Sequence, residues 1–154
     1  FPDVAVRLDC PTALDVLVDP LRLQQVLANL IGNAVKYGAE PVVLRAAPET
    51  GGGVVLEVRD AGDGVPAAFV EHLFERYARA DGLVARGAGL GLSVVRDLVR
   101  AHDGTVHYDT GRRAFVVRLP ARGAGSPAET SGAVAVSLAS DDDRAVADGV
   151  GAAG

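Results

Sequence analysis

LRLQQVLANLIGNAVKYG, residues 21–38, decides how the rest of the chain is read. Leu23, Val26, Leu27, Leu30, Ile31, Ala34 and Val35 recur at three- and four-residue steps and draw one apolar stripe along a helix. Asp19 suits the N-cap, Pro20 suits the first helical position, and Gly38 ends the run. Two asparagines, Asn29 and Asn33, interrupt this well-made helix one turn apart on a shared face, and Lys36 and Tyr37 follow within another turn. Asparagine is a weak helix former because its amide competes for backbone groups. Neutral amide oxygens suit a hard cation such as magnesium, and a neighbouring lysine suits phosphate. The plain alternative is a solvated polar face.

Working outward, VAVRL (4–8) and LDVLV (14–18) read as two adjacent strands separated by the proline-containing DCPTA. VVLRAA (42–47) and VVLEVRD (54–60) flank a glycine loop and read as a hairpin. AAFVEHLFERY (67–77) predicts a second helix, residues 79–91 a loop running into a third, and TVHYD (105–109) with AFVVRLP (114–120) a closing hairpin around Gly111. Asp60 ends an apolar strand and leads into DAGDG, where Gly62 and Gly64 take backbone angles closed to other residues. An aspartate there accepts from an exocyclic amine, or else belongs to an ordinary tight turn. GAGLGL (87–92) opens the third helix, whose bare N–H groups can face an anion, although spaced glycines alone are a weak signal.

Composition narrows the function classes. The chain has 154 residues, 49% of them hydrophobic, which suits one domain with a real core. Its net charge is −5, three of those charges falling in residues 121–154, so neither part offers the basic surface of a nucleic-acid binder. A single cysteine, Cys10, excludes an internal disulfide and is expected to be a small buried residue. No apolar run is long enough for a transmembrane helix, so this segment is expected to make no direct membrane contact. A start at Phe1 rather than Met is expected of a piece of a longer protein. After Pro120 the chain turns to alanine, glycine, serine and aspartate, and residues 121–154 are expected to be a disordered, low-complexity acidic tail. The alternation of AVAVSLAS (133–140) leaves an edge strand open as an exception.

The clusters gain a common explanation from their order. The sequence resembles the ATP-binding catalytic domain of two-component sensor histidine kinases, in the Bergerat-fold group shared with gyrase-type, mismatch-repair and chaperone ATPases. Residues 21–38 match the N box, VRDAGDGVP (58–66) the first glycine box, LFERYARAD (73–81) the phenylalanine box and GAGLGL (87–92) the second glycine box. The resemblance implies a two-layer α/β sandwich over residues 1–120, with a mixed, mostly antiparallel sheet on three helices. It implies ATP and Mg2+ as ligands. Asn29 and Asn33 would hold the metal, with Asn33 also at the nucleotide; Lys36 would meet a phosphate and Tyr37 flank the adenine. Asp60 would accept from the adenine amine while Gly62 and Gly64 give the base room. Gly87, Gly89, Leu90 and Gly91 would bring the lid and third helix to the phosphates, which Arg76 or Arg79 would reach, and Phe74 would anchor the lid.

Two departures stand out: Asp63 occupies a region where the family often has asparagine and proline, and the loop before Gly87 is short. Hydrolases of the group carry a glutamate general base where this chain has Asn29, which cannot take a proton. The resemblance therefore implies phosphoryl transfer to a partner. That partner would be a histidine on an upstream dimerisation domain, and then a response regulator, in the cytoplasm; His72, His102 and His107 are expected to be structural or surface residues. The rivals are a serine kinase of the anti-sigma-factor type and a nucleotide-binding regulatory module without transfer activity.

Overall fold

The computed structural model describes residues 6–10, 14–76, 90–121 and 134–138. In chain order the elements are β1 (Val6–Asp9), β2 (Leu14–Val18), α1 (Pro20–Tyr37), β3 (Val42–Pro48), β4 (Val54–Arg59), α2 (Ala67–Val70), α3 (Gly91–Arg100), β5 (Thr105–Asp109), β6 (Ala114–Leu119) and β7 (Val134–Leu138). Five strands form one sheet in the order β1-β3-β4-β6-β5, parallel only between β1 and β3. This is the mixed, mostly antiparallel sheet on three helices that the sequence implied.

The first helix forms where its stripe and caps placed it. The Asp19 carboxylate accepts from the Leu21 and Arg22 N–H groups, and Gly38 closes the other end by donating to the Ala34 carbonyl. Leu23, Val26, Leu30 and Ala34 are buried against the sheet. Alternation does the same for β4, where Val54, Leu56 and Val58 enter the core while Glu57 and Arg59 point the other way. Val95 and Val99 of α3 and Phe115, Val117 and Leu119 of β6 complete the core, with Cys10 buried beside them.

Two expectations need correction. The first two strands are not partners: β1 pairs with β3, and β2 pairs antiparallel with β7 in a separate two-stranded sheet. A parallel pair needs a long crossover, and α1 supplies it between β1 and β3. The strand left open at 133–140 thus forms over Val134–Leu138, its partner 124 residues upstream at the Leu14–Leu138 end falling to 116 at Val18–Val134. The second helix is also shorter than expected. Only Ala67–Val70 is α-helical, and the His72 N–H to Phe69 and Glu75 N–H to His72 bonds that follow are three-residue turns. Such turns sustain only short runs, and here they set Leu73 in the core with Phe74 against it.

Candidate functional site

Helix α1 meets the start of α3 at Asn29 and the loop after β4 at its Gly38 end. Near the middle of α1, the Asn29 amide nitrogen donates back to the Gln25 carbonyl at 3.0 Å. That bond fixes the amide and leaves its oxygen toward the start of α3. A Cβ built on Gly91 would come within 3.2 Å of Asn29 Oδ1, so the bare glycine is what lets α3 begin this close. Asn33 is half-buried one turn along, and Lys36 and Tyr37 are exposed, with the ammonium 4.8 Å from the tyrosine ring centre.

At its far end α1 meets the loop after β4. Asp60 accepts the Gly62 N–H at 2.8 Å through Oδ1, and the Ala61 N–H donates to the Ala39 carbonyl at 2.8 Å. Among the described residues Asp60 Oδ2 has no hydrogen bond, which leaves one carboxylate oxygen for a ligand donor. Gly38 was legible only as a helix stop, yet it has a second role. A Cβ there would stand 2.2 Å from Asp60 Cγ and 2.3 Å from Oδ1, a distance no side chain tolerates. Gly62 is also held close, its Cβ position lying 2.8 Å from the same oxygen. Gly64 has φ of 81°, the left-handed region that favours glycine.

At the α3 end, Leu90 is the N-cap, and its carbonyl accepts both the Val94 N–H at 3.0 Å and the buried Ser93 hydroxyl at 2.9 Å. The amides of Gly91 and Leu92 open the helix as free-end donors with the dipole behind them. Arg76, expected at phosphate, lies 3.6 Å from Asp97 on the second turn of α3. Arg79, Gly87 and Gly89 lie outside the described residues. Phe74 meets the Phe115 ring edge-on at 6.3 Å, and the lid it was expected to anchor lies outside the described residues.

The histidines have plain roles. His72 bonds Glu75 at 3.0 Å on the surface, and that hydrogen bond, followed by the Glu75 charge, raises its pKa above the ordinary 6.5. His102 bonds the Leu98 carbonyl through Nδ1 at 2.9 Å and takes the Asp19 N–H on Nε2 at 3.4 Å, linking the end of α3 to the start of α1. Those two bonds require the neutral ring with its proton on Nδ1. His107 is exposed on β5.

A concavity of about 670 Å3 lies on the sheet face turned away from the helices, lined by Arg45, Arg59, Arg112 and Arg113, with Asp60 and Ala61 also in its wall. Two of its four arginines are paired within the fold, Arg45 with Asp9 and Arg112 with Glu57 and Asp109. Asp60 borders it, but neither asparagine of α1 nor the start of α3 does. Among the described residues no cluster of three or more His, Cys, Asp or Glu could hold a metal, so any cation here would depend on amide and ligand oxygens. No helix among them is long and apolar enough to cross a membrane.

Comparison with known proteins agrees with this geometry. The family model described as histidine kinase-, DNA gyrase B-, and HSP90-like ATPase matches residues 18–123. The signal transduction histidine-protein kinase AfsQ2 of Streptomyces coelicolor is 40% identical over 124 residues, 75% of this chain and 22% of its own length. The probable sensor histidine kinase TcrY of Mycobacterium tuberculosis is 41% identical over 129 residues, 79% of this chain and 27% of its own. Thus the chain spans about a quarter of the length of these curated relatives. Among solved structures, full-length ShkA in complex with AMPPNP superposes with a TM-score of 0.68 at 32% identity, covering 81% of this chain and 27% of that one. The mycobacterial sensor histidine kinase MprB gives 0.63 at 25%, covering 76% and 82%.

Proposed function

Because the chain belongs to the histidine kinase-, DNA gyrase B- and HSP90-like ATPase family, as an ATPase domain of the sensor histidine kinase kind, we propose that it binds Mg-ATP along α1 and presents the γ-phosphoryl group to a histidine on another domain. One observation carries this reading: the same helix touches the second glycine segment at Asn29 and the first at Gly38. Those contacts are nine residues apart, about 13 Å along a helix, which matches an extended nucleoside triphosphate.

Each residue then has a task. Asp60 Oδ2 accepts from the adenine amine, with Gly62 and Gly64 giving the base room and Tyr37 flanking it. Lys36 meets phosphate from the α1 side, and the start of α3, with Leu90 as its N-cap and the amides of Gly91 and Leu92 as donors, meets it from the other, joined by Gly87 and Gly89. Arg76 and Arg79 are the arginines near enough in sequence to assist. Asn29 and Asn33 fit a magnesium ion: their oxygens are neutral, and the bare Gly91 leaves a gap beside Asn29 Oδ1 that a Cβ would fill. When bound, the ion would neutralise charge on the β- and γ-phosphates. No carboxylate on α1 stands ready to deprotonate water, since Asn29 is acceptor and donor but no base. Transfer should therefore outrun hydrolysis once an acceptor is present.

The acceptor we propose is a histidine on a dimerisation domain upstream, with a response regulator receiving the phosphoryl group next, in the ATP-containing cytoplasm. We assign the catalytic unit to residues 1–120 and regard 121–154 as an appended acidic segment that contributes β7. Incubating the chain with magnesium, labelled ATP and a helical acceptor domain tests the proposal. Label on the acceptor histidine supports it; magnesium-independent nucleotide binding, or label on serine, overturns it.

A further inference from the structure

The hairpin between β5 and β6 belongs to none of the four motifs, yet it grips the loop that carries Asp60. Tyr108 of β5 packs its ring edge-on against Phe115 at 5.1 Å, which fixes the direction of its hydroxyl. That hydroxyl accepts the Val65 N–H at 3.1 Å. It would also lie 2.7 Å from a Cβ on Gly64, so the loop presses against it with no atom to spare. Arg113, in the hairpin turn at φ of 53°, donates from Nη1 to the Gly62 carbonyl at 3.2 Å. Its Cδ and Cγ come within 3.1 and 3.2 Å of the Gly64 Cβ position. The loop is thus held at Gly62 and Val65 by the hairpin and at Ala61 by the Ala39 carbonyl.

We propose that Tyr108 and Arg113 are positioning residues that aim Asp60, and that they set the preference for a purine bearing an exocyclic amine over one bearing a carbonyl. The inference rests on Asp60 being the adenine acceptor. An ionised carboxylate only accepts, so it bonds an amine and repels a carbonyl oxygen. Such discrimination is large only while the acceptor cannot move away or take a water instead. The hydroxyl and the guanidinium remove that freedom through the loop backbone, at the Val65 N–H and the Gly62 carbonyl.

ATP and ITP carry the same triphosphate and differ at that purine substituent. Their affinities for the 154-residue chain, with magnesium, would be measured by calorimetry for the parent, Tyr108→Phe, Arg113→Ala and Arg113→Lys, with melting curves for each. The parent should favour ATP by roughly ten- to a hundredfold, and Tyr108→Phe and Arg113→Ala should each cut the ratio by about threefold or more, chiefly by weakening ATP. Arg113→Lys, which can reach the same carbonyl, should restore most of it. A purely structural role would lower the melting temperature and leave the ratio alone, and that result overturns the inference while sparing the adenine site. A parent with no preference for ATP over ITP removes the Asp60 reading and this inference together.

Discussion

Gly38→Ala is the sharpest single probe of the site, because the backbone there permits it and the surroundings do not. With φ of −100° the residue is conformationally ordinary, so no strain attaches to adding a methyl group as such. The methyl carbon would nevertheless fall 2.2 Å from Asp60 Cγ, 2.3 Å from Oδ1 and 2.6 Å from the Ala34 carbonyl oxygen. The carbonyl belongs to the helix and yields little, so the carboxylate must swing away. Overpacking of this kind costs about 1–3 kcal/mol of stability. Moving the carboxylate also breaks its bond to the Gly62 N–H and, with it, the bond we propose it makes to the adenine amine. A hydrogen bond to a charged acceptor contributes about 1.5–3 kcal/mol, so ATP affinity should fall roughly ten- to a hundredfold. Calorimetric titration of Gly38→Ala, Asp60→Ala and the double variant forms a closed cycle. If the methyl acts through Asp60, the double variant binds no more weakly than Asp60→Ala alone. Affinity within about twofold of the parent in a folded Gly38→Ala protein would refute the reasoning, since tenfold corresponds to only about 1.4 kcal/mol.

Other outcomes follow from the same geometry. Asn33→Ala should raise stability by a few tenths of a kcal/mol through helix propensity while removing most magnesium-dependent phosphotransfer; unchanged transfer would return the asparagines to the status of a solvated face. Gly91→Ala should gain about 0.4–1 kcal/mol by denaturant titration, yet lose transfer as the methyl crowds Asn29 Oδ1 at 3.2 Å, and gain without loss would detach Gly91 from the metal. For His72 the raised pKa means that its favourable pairing with Glu75 is fully present below the ordinary histidine value and fades as pH rises through the folded one. An NMR titration should therefore show a midpoint above 6.5 that drops in Glu75→Gln, and a parent midpoint at or below 6.5 would contradict it.

Local signals were legible and distant ones were not. The stripe, Asp19, Pro20 and Gly38 each act within a few residues of one another, so α1 could be read from end to end. Hairpins β3–β4 and β5–β6 were equally readable, because their partners are neighbours in sequence. The pairing of β2 with β7 depends on residues more than a hundred positions apart, and a five-residue apolar run carries no mark of its partner. For the same reason Asp60 could be singled out as a candidate and the residues that hold its loop could not. Tyr108 and Arg113 look like ordinary strand and turn residues until Phe115 turns the tyrosine toward Val65. The length of α2 was misjudged because helical turns and tighter three-residue turns share an apolar spacing over so short a stretch.

The β2–β7 ribbon bears on where this protein can safely be cut. A boundary drawn at the end of β6, which looks natural from the nucleotide machinery alone, would strip β2 of the strand that occupies its hydrogen-bonding edge from Leu14 to Val18. Bare strand edges recruit replacements, and the nearest replacement in solution is another molecule. Fragments ending near Leu119 should therefore self-associate with rising concentration, whereas fragments ending beyond Leu138 should stay monodisperse, so the choice of stop codon alone can create an oligomer that the intact segment does not form.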